Sequence, residues 1–576
     1  MNKIIRVNMT DMSTRIDEVP TEWAGCGGRA LTSRIVAKEV IPTCHPLGAN
    51  NKLVFAPGLL TGTAAANSGR FSAGAKSPLT GTIKESNVGG TAAQMFARLG
   101  IKALIIEGLP QGDSWYALHL NKDGVSIVAE TELIGQGNFA VVEALEKRLG
   151  KKTGVLTIGP AGEMKMLSAN ISVKDSDSKL RSHGRGGLGA VMGSKRIKYI
   201  SIDDAETPAI KPADPEKFKA AARVFAKAIL DHPATGEGLP EFGTAGIVNA
   251  INGVGGFPTR NFTYGQYEKH EAISGETMRE TILKRGGSPK HACQPGCIVQ
   301  CSQIYNDEAG NYLTSGLEYE TIWALGANGM GGNLDDIAVA DNIMDDIGVD
   351  SIEVSVAFGV AMEAGILPFG DSKGVLRMLR EEIGAGTPLG RVLGSGAGEV
   401  GKVYGVTRVP VVKNQAIPAY DPRSIKGIGI TYATSTMGAD HTIGYTIGPN
   451  VLGSAHGIVD PLSKNGQVEL SRQLQIVTVM IDSTGLCLFL GSPLADIPTC
   501  APALIDMLNA HLGLNLTFDW IGELGVTTLK IERAFNQAAG FTNKADRLPE
   551  FFKEPLPPHN AVWDFSDEEI DAYWDF

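Results

Sequence analysis

DDIGVD at 345–350 and DSTGLC at 482–487 are the two stretches on which the reading of this chain turns. Both have the form D-x-x-G-x-(D/C). Both follow a helix-prone run, and both lead into apolar residues. A glycine just past a helix end takes the left-handed conformation and turns the chain. That puts Asp345 and Asp482 in the last turn of their helices. A carboxylate there opposes the helix dipole and needs a partner. A ligand offering N–H donors would be one; two ordinary helix ends with solvated aspartates are the plainer alternative. The second copy, which ends in Cys487, favours a ligand.

Outward from these repeats, HACQPGCIVQCSQIY (291–305) carries Cys293, Cys297 and Cys301 in a C-x3-C-x3-C spacing. Three thiolates this close can hold one face of an iron–sulfur cube, and Cys487 is the natural fourth ligand. Structural zinc, more often built on C-x2-C pairs, and no metal at all are the alternatives. The radical-SAM spacing C-x3-C-x2-C is absent. Seven cysteines, unevenly spaced, do not suggest a disulfide framework. Cys26, Cys44 and Cys500 lack partners at ligand spacing and read as small buried hydrophobes.

The chain has 71 glycines, well above the usual share of about 7%. Many cluster with basic residues, in GRFSAGAKSPLTGTIKESNVGGT (69–91) and HGRGGLGAVMGSKRIKYI (183–200). Arg70, Lys76 and Arg185 can neutralise phosphate. The glycine pairs 89–90 and 186–187 let backbone N–H groups approach an anion or a ring. Solvated flexible loops are the alternative. Neither segment fits a Rossmann signature, and no Walker A motif occurs.

The 576 residues, 43% of them hydrophobic, suffice for several domains. Short β-prone runs fill the first part (KLVFA, ALIIEG, GVSIVAE, GVLTIG, IKYISID). After the charged joint ETPAIKPADPE (206–216), helical periodicity takes over. The expected fold class is α+β: a sheet-rich N-terminal domain at 1–205 forming the base for a cofactor, then two mainly helical domains at 206–415 and 416–576. The aromatic, acidic tail at 545–576 is expected to pack over the body. A net charge of −11 argues against nucleic acid. No apolar run approaches the ~18 residues of a membrane helix, and MNKIIRVNMTD lacks a signal-peptide core. The expectation is a cytoplasmic protein with no direct membrane insertion, possibly a homo-oligomer.

Taken together and in order, AKSPLTG, SNVGG, GRGGLGAVMGSK, the cysteine cluster, GLEYET, the first repeat, a lone His after a Gly-rich stretch and the second repeat resemble the aldehyde ferredoxin oxidoreductase family across nearly the whole chain. The resemblance implies a tungsten (or molybdenum) bis-pyranopterin cofactor beside a [4Fe-4S] cluster. It implies that Asp345, Asp350, Asp482 and Leu486 contact the pterins and that Cys487 completes the cluster. Arg70 would bridge cluster and pterin. Asn87 and Gly186 would hold Mg2+ between the pterin phosphates through main-chain carbonyls, with Arg185 beside them. Glu320, with Glu318 two residues away, and His441 in MGADHTIGY would stand near the metal. The family's usual cluster spacing is C-x2-C-x3-C, one residue shorter than here, which brings in His291 as an alternative donor to Cys293.

The implied reaction oxidises an aldehyde to a carboxylic acid, with Glu320 as general base and His441 stabilising the substrate oxygen. Electrons would leave through the cluster to ferredoxin or a ferredoxin-like subunit. Lys284, Arg285 and Lys290, just before the cysteines, form a candidate docking patch. A second reading keeps the cofactor but reduces aromatic acyl thioesters or another carbonyl substrate within a larger complex. A third is a zinc-stabilised scaffold without catalysis.

Overall fold

The computed structural model describes residues 1–455 and 457–576. The β-prone runs of the first 205 residues form two six-stranded sheets. In the first sheet the spatial order is Ser13–Glu18, Lys3–Asn8, Ile101–Glu107, Leu53–Pro57, Phe71–Lys76, Ile83–Val88. In the second it is Leu180–His183, Ile171–Lys174, Gly154–Thr157, Ile197–Ile202, Trp115–Asn121, Gly124–Glu130. Alternating Ile, Val, Leu and Phe from both sheets, among them Ile5, Phe55, Leu104, Leu156, Ile171 and Ile200, share one core. Their period of two turns one face of each strand inward. Two helices inside this region, Gly28–Glu39 and Asn138–Leu149, are longer than the glycine-rich composition suggests.

From residue 206 onward the chain is mainly helical, as the periodicity predicts. PEKFKAAARVFAKAILD is one helix, Pro215–Asp231, capped by Asp214. Among the described residues, the larger β element there is a three-stranded sheet, Ser288–His291, Ser302–Asn306 and Tyr312–Thr314, which flanks the cysteine loop. The tail packs inward: Trp563, Phe565 and Tyr573 lie in the largest core. Among the described residues, no single helix is long and apolar enough to cross a membrane.

Both repeats end helices in the expected way. Helix Leu334–Ile347 stops at Gly348 (φ +81°), and helix Gln467–Thr484 stops at Gly485 (φ +82°). The two ends dock on equivalent places, one per sheet. Gly159, just beyond strand 154–157, lies so close to the first that an added Cβ would meet the Ile347 carbonyl oxygen at 2.2 Å. Gly58, just beyond strand 53–57, meets the second, with Gly485 N 2.0 Å from the same imaginary atom. Leu59 N and Leu60 N donate to the Ser483 and Thr484 carbonyls at 3.1 and 2.9 Å, satisfying carbonyls that a helix end leaves open. At the first end, Asn138 Nδ2 donates to the Asp345 carbonyl at 2.8 Å.

Gly58→Ala forces backbone apart at this joint. It is expected to lower stability by about 1–3 kcal/mol, the usual range for overpacking. Thermal unfolding checks this; an unchanged midpoint would mean that the helix end does not depend on the close approach.

Candidate functional site

The two helix ends face two adjoining cavities, of about 370 and 250 Å³. Asp345 borders the first and Asp482 the second; Arg70, Gly184, Arg185, His441 and Phe489 border both. Burial pushes both aspartates well above the ordinary carboxylate range. Asp341 adds to the shift at Asp345, and Glu85 adds to it at Asp482. Each is a carboxyl that the protein leaves short of donors.

The four thiols of Cys293, Cys297, Cys301 and Cys487 interact with one another. The Cys297 thiol, helped by Arg70 and Arg181, holds Cys293 down to about 5, while that bond and burial push Cys297 up. Burial likewise raises Cys301. Asn67 Nδ2 lies 3.5 Å from Cys297 Sγ, and the Asn67 carbonyl accepts from Cys487 N at 3.1 Å. One loop residue thus ties together the two sequence-distant cysteine segments. Among the described residues, no three His, Cys, Asp or Glu groups converge tightly enough for a single ion. In a cube each thiolate meets a different iron, so wider spacing is what this donor set requires. His291 is not a spare donor: Asp177 and Arg181 hold its two ring nitrogens at 2.9 and 2.8 Å.

Arg70 stands between thiols and cavities. Its Nη2 lies 3.7 Å from Cys487 Sγ, and its buried Nε has no partner. Asn87 Nδ2, which borders the second cavity, is also buried and unpartnered. These orphaned donors, with the partner-poor aspartates, fit a polar ring ligand that carries both donors and acceptors.

In the wall of the first cavity, His441 Nε2 is 3.3 Å from Glu320 Oε1. Glu320 Oε2 accepts from Ala419 N at 3.0 Å. Burial pushes Glu320 up to about 8 and His441 down to about 4. Tyr420 and Tyr445 surround the pair, their hydroxyls 2.9 Å apart. Glu318 borders the same cavity, but its carboxylate accepts from Thr244 Oγ1 at 2.6 Å.

Several expected residues sit differently. Lys76 points away from both cavities, its ammonium donating to the Pro42 and Cys44 carbonyls. Arg185 borders them but is spent on protein acceptors: Asp350 at 2.9 Å, Ala439 O and Ala416 O both at 2.8 Å, and Glu353. It therefore braces the site and is not a free anion receptor. Asp350 is correspondingly occupied, capping the next helix through Ile352 N at 2.9 Å. Leu486 is fully buried in the core beneath the cysteines, and Leu488 and Phe489 form the cavity wall in its place. The Gly186 carbonyl accepts from Ser77 Oγ at 2.7 Å. The basic patch does not stand free, since Asp335 holds Arg285 at 2.9 Å and Glu241 holds Lys290 at 2.7 Å. Cys26 and Cys500 are buried as expected, whereas Cys44 is half-buried. Sequence reading missed Arg29, Asp341 and Arg181, which carry no motif, and passed over Glu85, which directly precedes SNVGG; folding brings all four to the cavities.

Two sheets, two docked helix ends and a thiol quartet beside paired cavities define a class, the oxidoreductases built around a ring cofactor and an iron–sulfur relay. The chain belongs to the aldehyde ferredoxin oxidoreductase family. Residues 4–204 match its N-terminal domain and residues 220–576 its domains 2 and 3. The chain is 35% identical to a tungsten-containing aldehyde ferredoxin oxidoreductase of Thermococcus kodakarensis, covering 96% of this chain and 92% of that one. It is 34% identical, with the same coverage, to the protein of that name from Pyrococcus furiosus. In fold it is similar to a chain of the active-site complex BamBC of benzoyl coenzyme A reductase, with a TM-score of 0.83, 18% identity and coverage of 100% and 94%.

Proposed function

We propose that this chain converts an aldehyde and water to a carboxylic acid, two electrons and two protons, and passes the electrons to a ferredoxin. The carrying observation is the buried Glu320–His441 pair in the cavity wall, with Arg70 reaching from the same cavity to Cys487. When bound, a tungsten or molybdenum bis-pyranopterin supplies the two-electron acceptor, and a [4Fe-4S] cluster on the four thiols supplies one-electron transfer. Asp345 and Asp482 would hold pterin N–H groups, and Arg70 would link pterin to cluster. Asn87 and Gly186 would offer main-chain carbonyls to a magnesium ion that neutralises the cofactor's phosphates, since a carbonyl with one donor keeps a second lone pair.

The chain's own residues handle the proton. Glu320, fixed through Oε2, takes a proton from water at Oε1, and its raised pKa makes it a stronger base than a solvated carboxylate. Neutral His441 would carry its single proton on the unpartnered Nδ1 and donate it to the aldehyde oxygen, which leaves Nε2, 3.3 Å from Glu320 Oε1, as the acceptor for the proton that Glu320 takes up. Behind Tyr445, Leu488 and Phe489 a third cavity of about 310 Å³, lined by Leu452, Leu474, Ile481 and Leu504, favours an aldehyde with an apolar tail. The free thiols support a reducing, cytoplasmic setting.

Anaerobically purified protein tested with a panel of aldehydes and a viologen acceptor checks the reading. Tungsten or molybdenum with about four irons per chain is expected. Because Glu320 must be unprotonated, kcat/KM is expected to rise with pH and level off above about 8. Zinc as the sole metal, or no aldehyde turnover by metal-replete protein, would overturn the proposal; a flat pH profile would remove Glu320 as the base.

A further inference from the structure

We propose that Glu85 is a second carboxylate of the ring-binding cavity, forming with Asp482 an acidic pair that takes neighbouring N–H donors of one bound pterin. The inference rests on the cofactor reading above. Glu85 lies on strand Ile83–Val88, opposite Gly74 in the register with strand Phe71–Lys76. It is 7% exposed, its Oε1 has no hydrogen-bond partner, and it borders the same cavity as Asp482 and Asn87. Buried acceptors are almost always paired in folded proteins, so one facing a cavity points to a ligand.

The protein offers this pair little. Arg29 is the nearest cation to Asp482, with Nη1 at 3.8 Å, but its Nε and Nη2 are committed to Glu532 at 3.0 and 2.8 Å. Lys84 is held by Asp440 at 2.9 Å and Gln415 at 3.2 Å. Arg70 Nη2 is turned to Cys487. Burial raises both Glu85 and Asp482 above their ordinary range; the Glu85 charge adds to it at Asp482, while at Glu85 Ser72, Arg29 and Lys84 oppose it and Glu532 adds to it. The two unpartnered donors at this cavity, Arg70 Nε and Asn87 Nδ2, make no bond to the pair. The amino-pyrimidinone edge of a pterin presents adjacent N–H groups and can satisfy both carboxyls at once. A single hydroxyl or a metal-bound water cannot span the pair in this way.

The test compares holoenzyme carrying Glu85→Gln, Glu85→Asp or Asp482→Asn with the unaltered protein. Pterin released in mild urea is followed by fluorescence after oxidation, and iron is measured in parallel. Glu85→Gln should release pterin about tenfold faster, the loss expected for one charged hydrogen bond, with iron unchanged. Glu85→Asp should fall between Gln and the unaltered protein. The cofactor-free form of Glu85→Gln should melt at the same temperature or higher, because a repulsion is removed; a lower midpoint would assign Glu85 a structural role and overturn the proposal. If Asp482→Asn sheds pterin while both Glu85 variants hold it normally, the Glu85 assignment fails and the cofactor reading stands. If none of the three sheds pterin faster, the cofactor reading of this cavity fails as well.

Discussion

Glu320→Gln is expected to lower kcat for aldehyde oxidation by about 100-fold or more, the usual worth of a positioned general base, with pterin, metal and iron content unchanged. The amide keeps the side chain's shape and can still meet Ala419 N, which donates to Oε2 at 3.0 Å. It cannot accept a proton from water. Steady-state rates at several pH values separate the two contributions. The rise in rate toward pH 8 should vanish along with the loss of activity, because the group responsible no longer titrates. Glu318→Gln is the comparison. Glu318 borders the same cavity but is tied to Thr244 Oγ1 at 2.6 Å, so its replacement should cost far less. Near-normal turnover in Glu320→Gln, or a larger loss in Glu318→Gln, would reassign the base.

Cys487→Ala is expected to abolish ferredoxin reduction and to lower iron content, since it removes a thiol that no neighbour can replace. A ligand loss should exceed the roughly 10- to 100-fold cost of losing a residue that merely supports one. The same change leaves Arg70 Nη2 without its sulfur contact, so a buried guanidinium loses a partner as well. Cys500→Ala serves as the control. Cys500 is fully buried in the same apolar cluster but interacts with none of the other thiols. It should keep its iron and lose only packing. Iron analysis and the electron paramagnetic resonance signal of the reduced cluster decide the matter. A full complement of iron in Cys487→Ala would remove it from the ligand set.

What the amino-acid order determined by itself was local. A glycine three residues after an aspartate, at the end of a periodic apolar run, ends a helix in one way. Both Gly348 and Gly485 do so, with left-handed φ. Strand runs such as GVSIVAE and helix runs such as PEKFKAAARVFAKAILD fall where period two and period 3.6 put them. The cysteine cluster was legible because its members lie within one short loop.

Tertiary structure decided which charged side chains face the cavities. Lys76 and Arg185 look alike in sequence as basic residues among glycines. One turns to two carbonyls behind its strand, and the other is consumed by four acceptors from distant segments. Arg29 and Glu532, 503 residues apart, meet bidentately behind Asp482, and Glu85 joins them from the strand that carries the start of SNVGG. A buried charge is stabilised only by whatever lies within a few ångströms. Which groups those are is set by how sheets and helices dock, and spacing along the chain carries no record of that.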